Sequence, residues 1–210
     1  MKIEIKQVMK KFKNEVILDN VNMQLNGGHI YGFVGRNGSG KSVFLKMLCG
    51  FYIPTSGEIL FDGINIIKEK TFPPSTRALI EKPNFLSDLT GYENLKLLAE
   101  IQNKISSKEI ETALKKVNLD DQKNKRFSKY SLGMKQKLGI AQVLMENPDV
   151  LIFDEPFNGI ESSTVEKLRK EFLAQKDSGK LIIVSSHIKE DIDMLADEIY
   201  EFADFTVKKL

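Results

Sequence analysis

"IYGFVGRNGSGKSVFLKML", residues 30–48, carries three signals in a row. The apolar run Ile30 to Val34 reads as a short buried strand, and "KSVFLKML" reads as a helix stopped by Gly50. Between them "GRNGSGKS", Gly35 to Ser42, matches the pattern G-x-x-x-x-G-K-[ST] in full. Its glycines open backbone dihedrals closed to other residues, so successive N–H groups can converge on phosphate oxygens. The helix N-terminus adds its partial positive charge. In such a loop Lys41 reaches the β- and γ-phosphates and the Ser42 hydroxyl ligates Mg2+. Gly35, Asn37, Gly38, Ser39, Gly40, Lys41, Ser42 and Val43 are therefore the expected nucleotide-binding positions.

Outward from this loop the chain keeps one pattern. "ALI" at 78–80, "VLIF" at 150–153 and "LIIVS" at 181–185 are further short apolar runs separated by helical stretches, as in a parallel sheet buried on both faces. The expected class is α/β. The N-terminal flank reads as antiparallel β: "IEIKQV" alternates, "NGG" at 26–28 is a turn, and "GEILFDGINI" is a strand, an Asp62-Gly63 turn and a second strand. From about 84 to 148 the character is helical. Ser106 to Glu109 reads as a capping box before Ile110, Ala113, Leu114 and Val117 on one face. A second box, Ser163 to Glu166, is expected to open the helix carrying Val165, Leu168 and Phe172.

Bulk properties narrow the function. A chain of 210 residues is expected to form one globular unit. A net charge of +2 argues against a nucleic-acid partner. The lone Cys49 sits among apolar residues and forms no internal disulfide, which suits the cytosol. No signal peptide is expected at the N-terminus, and no apolar run approaches the ~18 residues of a membrane span.

"VLIFDE", 150–155, places two acids at the end of a buried strand. A carboxylate there is costly unless it holds a charge, so Asp154 is expected to associate with Mg2+. Glu155 beside it is placed to polarise an attacking water as a general base. Kinases, GTPases and motor ATPases all remain open at this point, although no N-K-x-D base-reading motif follows Asp154.

The order phosphate loop, "YSLGMKQK", "LIFDEP" and "SSH" resembles the ATP-binding cassette (ABC) ATPases over nearly the whole chain. The resemblance implies a P-loop NTPase core with a parallel sheet, an N-terminal antiparallel β subdomain and an inserted α-helical subdomain. Residues 1–83 and 149–210 would form the core and about 84–148 the insert, within one domain of 1–210. Residues 130–134 stand where the family has its L-S-G-G-Q signature, with Leu132 and Met134 in place of a glycine and a glutamine. Two subunits of the family pack head to tail, so Ser131 and Gly133 would serve a nucleotide held by the partner. Phe12 stands where an aromatic stacks on adenine, and His187 where a histidine contacts the γ-phosphate and links it to Glu155. "NGIE" at 158–161 occupies the loop that crosses the dimer interface. Glu81 replaces the usual glutamine that touches Mg2+ and relays nucleotide state; at this position its carboxylate is expected to approach the metal too, as a charged instead of a neutral ligand.

With "SLGMKQ", Glu81 makes the chain similar to the bacitracin and lantibiotic exporters. The implied function is an ATPase subunit that binds ATP and Mg2+ and drives a separate transmembrane permease. Its pair would be a second copy or a related subunit, and its place would be peripheral, on the cytoplasmic face of the membrane. No appended domain is expected after "EIYEFADFTVKKL", which suits a stand-alone exporter subunit. A soluble ABC ATPase of DNA repair or translation would call for a coiled-coil insert, a zinc module or a second cassette. A P-loop small-molecule kinase would leave "SLGMKQ" and "SSH" unexplained.

Overall fold

The computed structural model describes residues 1–210. Strands β1 (Lys2–Phe12) and β2 (Glu15–Asn26) form an antiparallel hairpin with one buried face. Ile3 and Ile5 point inward by simple alternation. Val8 also points inward because the register shifts at a bulge where Gln7 has φ 50°; one extra residue exchanges the two faces. The Gly27–Gly28 turn leads to β3 (His29–Val34), and α1 (Lys41–Leu48) follows the phosphate loop. β4 (Ser56–Phe61) returns to pair with β1, and β5 (Ile64–Asn65) pairs with β4 across Asp62–Gly63. These give a four-stranded antiparallel sheet, order β2-β1-β4-β5.

The rest of the chain builds around a second sheet. After β6 (Thr76–Leu79) come α2 (Gly91–Gln102), α3 (Ser107–Lys116) and, past two single 3-10 turns, α4 (Leu132–Met145). Then follow β7 (Val150–Asp154), α5 (Ser162–Asp177), β8 (Leu181–Ser186), α6 (Lys189–Asp193), β9 (Glu198–Ala203) and β10 (Thr206–Lys209). The order is β10-β9-β3-β8-β7-β6, parallel throughout except for β10. The hairpin of β9 and β10 was not foreseen in the sequence. No helix is long and apolar enough to cross a membrane.

Alternate residues of the parallel strands enter two separate cores. Tyr31, Phe33, Val150 and Ile152 pack with α1 and the antiparallel sheet. Ile30, Val34, Leu151 and Phe153 pack with α4, α5 and the helices α2 and α3. This split is why the runs read as continuously apolar.

Helix starts follow local capping chemistry, with one correction. The Ser106–Glu109 box at α3 is present, and Thr90–Glu93 forms a second one at α2. The expected Ser163–Glu166 box is not: α5 begins at Ser162 with Glu161 as its N-cap residue. The Glu161 carboxylate accepts from Lys137 Nζ at 2.9 Å and Thr164 Oγ1 at 2.6 Å. A carboxylate neutralised by a buried lysine takes the helix start, and Ser163 falls inside the first turn.

Candidate functional site

The phosphate loop joins the end of β3 to the start of α1. Gly35, φ 150°, cannot carry a side chain, since a Cβ would lie 2.5 Å from the Phe202 carbonyl. The first amides of α1, at Lys41, Ser42 and Val43, have no intrahelical acceptor and are available to an anion. Lys41 folds back on its own loop, its Nζ donating to the carbonyls of Gly35 at 2.5 Å and Arg36 at 3.2 Å. Burial lowers the Lys41 pKa, while Glu155 and Asp154 act to raise it. Residues 37–43, Ile17, Asp154 and Glu155 line one cavity of about 330 Å³. The Ser39 hydroxyl is buried there without a partner.

Asp154 ends β7, buried. Its Oδ2 accepts from Ser42 Oγ at 2.7 Å and its Oδ1 accepts from Ser185 Oγ on β8. Glu155 follows at φ 51°, a left-handed conformation that costs about 1–2 kcal/mol for a residue with a Cβ. Its N–H donates to the Ser185 carbonyl at 3.1 Å and its carbonyl accepts from Gln136 Nε2 at 3.0 Å, which together hold it there. His187 Nδ1 lies 2.8 Å from Glu155 Oε2. An ionised carboxylate only accepts, so the proton of this bond sits on Nδ1.

The remaining expected positions lie around this centre. Phe12, the last residue of β1, is 39% exposed; its ring meets Tyr52 edge-on at 5.3 Å and has Lys10 Nζ 4.7 Å from its centroid. Glu81, φ 64°, ion-pairs with Lys46 Nζ at 2.5 Å and lines a cavity of about 590 Å³ with Asp154 and Glu155. Ser131 is the N-cap of α4, its Oγ accepting from the Met134 N–H at 3.2 Å. Gly133 is buried against the loop of Asn158–Ile160: a Cβ there would lie 2.3 Å from the Gly159 carbonyl. Neither Ser131 nor Gly133 lines the phosphate-loop cavity of its own chain.

Sequence reasoning missed Gln136, Ser185 and Lys46. Gln136 carried a signal, a polar residue on the inner face of an otherwise apolar helix. Ser185 stood in the quoted "SSH" without a role. Lys46 had no signal.

Comparison with known proteins agrees with this fold. Residues 18–158 match the family model for the ABC transporter. The chain is 40% identical over 201 residues to the bacitracin transport ATP-binding protein of Enterococcus faecalis, covering 94% of this chain and 65% of that one. It is 36% identical over 197 residues to the lantibiotic transport ATP-binding protein of Streptococcus pyogenes, covering 94% and 85%. This chain thus spans about two thirds of the length of the first relative. Among solved structures it superposes on a dimeric ATP-binding cassette bound to ADP and phosphate after hydrolysis. The TM-score is 0.87 at 25% identity, covering 99% of this chain and 98% of that one. The fold, the phosphate loop and these matches together make the chain a member of the ABC transporter family, in its ATP-binding branch.

Proposed function

We propose that this chain is the ATP-hydrolysing subunit of an exporter, that two subunits close over two Mg-ATP, and that closure drives a separate membrane permease. The observation that carries the reading is the meeting of Ser42 with Asp154, and of His187 with Glu155, beside the phosphate loop. Residues 1–83 and 149–210 act as the nucleotide-binding unit. Residues of about 84–148 act as the insert that carries Ser131 and receives the permease.

The donors suit Mg2+. Ser42 Oγ and Asp154 offer hard oxygens 2.7 Å apart, and no group of three His, Cys, Asp or Glu side chains gathers to hold a metal unaided. Mg2+ is ordinarily bound by one or two protein oxygens, with phosphate and water supplying the others. When bound it offsets negative charge on the phosphates.

Lys41 exchanges the loop carbonyls for phosphate oxygens, and adenine stacks on the open side of Phe12. Glu155 accepts a proton from water attacking the γ-phosphorus, and the bond to the ADP oxygen breaks in line. His187 donates from Nδ1 to Glu155, which fixes the carboxylate; a bond from the same ring to the γ-phosphate requires a proton on Nε2 as well. The Ser131 oxygen is occupied by the Met134 amide, but its O–H remains free to donate. Together with its place outside its own chain's cavity, this supports a role for Ser131 and Gly133 on the partner's nucleotide. The names of the relatives support a peptide-antibiotic cargo. The subunit would then sit at the cytoplasmic face of the membrane.

Glu155→Gln tests the core of the reading. Turnover should fall roughly 10²–10⁴-fold while ATP binding is retained and a dimer accumulates with ATP in size-exclusion chromatography. Full residual hydrolysis would remove Glu155 from its role. Purified from detergent-solubilised cells with ATP, the same variant should bring down a small, very hydrophobic partner. Nucleic acid or ribosomes in its place would overturn the transporter reading.

A further inference from the structure

Glu81 shares a cavity with Asp154 and Glu155, yet its carboxylate is turned to a cation. Lys46 Nζ lies 2.5 Å from Glu81 Oε1, although 35 residues separate the two in sequence. Lys46 belongs to the helix that opens with the phosphate loop, and it stands four residues after Ser42. Positions i and i+4 share a helix face, so Lys46 is stacked one turn beyond the residue that would meet the metal. Both oxygens of Asp154 are already taken by the hydroxyls of Ser42 and Ser185. Glu81 also holds a left-handed backbone, φ 64°, unfavourable for a residue with a side chain. A carboxylate that lines a cavity with Asp154 and Glu155 is thus paired with a lysine of the helix that carries Ser42.

We propose that Lys46 is a positioning residue that holds Glu81 away from the metal in the nucleotide-free chain and yields it when Mg-ATP binds. The inference rests on Ser42 and Asp154 as the metal-side residues. Its physical logic is charge. Glu81, Asp154 and Glu155 line one cavity with a single cation, Lys82, so a Glu81 carboxylate turned inward would make the site more attractive to a divalent ion before any nucleotide arrived, and more repellent to the triphosphate. A lysine on Glu81 cancels one of those charges, so a glutamate can occupy this position without making the empty site a metal trap. The strength of the pair fits an exchange. The Glu81 side chain is 64% exposed, and pairs so open to water are held loosely. A divalent cation nearby can therefore displace the ammonium.

The test titrates Mn2+ alone into the nucleotide-free chain and reads free Mn2+ by its electron paramagnetic resonance signal. Lys46→Met should tighten Mn2+ binding about three- to five-fold, the scale of an exposed ion pair. Lys46→Arg, which keeps the pair, should behave as the unsubstituted chain. In the Glu81→Gln background Lys46→Met should have no effect. Equal affinities in Lys46→Met and the unsubstituted chain, or the same gain with and without Glu81, would overturn the proposal. Asp154→Asn separates the two layers. If it weakens Mn2+ while Lys46→Met does nothing, only the positioning role falls. If Asp154→Asn leaves Mn2+ binding unchanged, the metal site falls and the role of Lys46 with it.

Discussion

Asp154 accepts one hydroxyl on each carboxylate oxygen, from Ser42 on α1 and Ser185 on β8. Ser42 is the partner a metal would share, so Ser185 is the residue that keeps the carboxylate oriented when that partner moves. Ser185→Ala leaves a buried carboxylate oxygen short of a donor, which ordinarily costs about 1–3 kcal/mol. The expected result is a lower urea midpoint with an unchanged slope, together with weaker Mg-ATP binding by calorimetry; a variant equal to the unsubstituted chain in both would deny Ser185 this role. Lys41, Ser42, Asp154 and Glu155 were legible in the sequence because their neighbours announce them, a glycine-rich loop in one case and a buried strand in the other. Gln136 and Ser185 act on residues 19 and 31 positions away, and only folding brings those pairs together. Nothing local to either residue states its partner.

At the scale of elements, the start of α5 shows one charge deciding a boundary. The side-chain bonds from Thr164 and Lys137 hold the Glu161 carboxyl down to about 2. A carboxyl depressed in the folded state adds stability above its unfolded value, near 4.5, and that stability is lost as pH falls toward 2. Because the side chain is 55% exposed, the contribution is discounted to roughly 1 kcal/mol. Glu161→Gln should therefore be less stable than the unsubstituted chain near neutral pH, with the gap closing between pH 4.5 and 2. Parallel urea titrations would check this, and a gap constant with pH would exclude the carboxyl as its source. The capping boxes at α3 and α5 looked alike in sequence, and a lysine from α4 made the difference between them. The hairpin of β9 and β10 was overlooked for another reason. Tyr200 and Phe202 are its only strongly buried residues, too few to announce a strand.

Over the whole molecule, the parallel sheet divides two apolar cores, and their membership was readable only as a list of apolar runs. Strand order was not readable, because nothing in "VLIF" or "LIIVS" says that β8 lies between β3 and β7. Phe172 of α5, fully buried and stacked on Phe153 at 4.5 Å, ties α5 to β7 within the core that also holds α2 and α3. Phe172→Ala should lower unfolding stability by about 3–5 kcal/mol, read by urea denaturation. Amide exchange should show α2 and α3 loosening with it, because they share its core; protection there that stays unchanged would mean the insert is stabilised separately. β7 itself presents Leu151 and Phe153 to the helical core and Val150 and Ile152 to the other. A close-packed interior passes on displacement instead of absorbing it. A push delivered to the insert by a neighbouring protein therefore crosses a single layer before it reaches the strand ending in Asp154 and Glu155. Asp154 and Glu155 stand at the tip of the rod that feels the load.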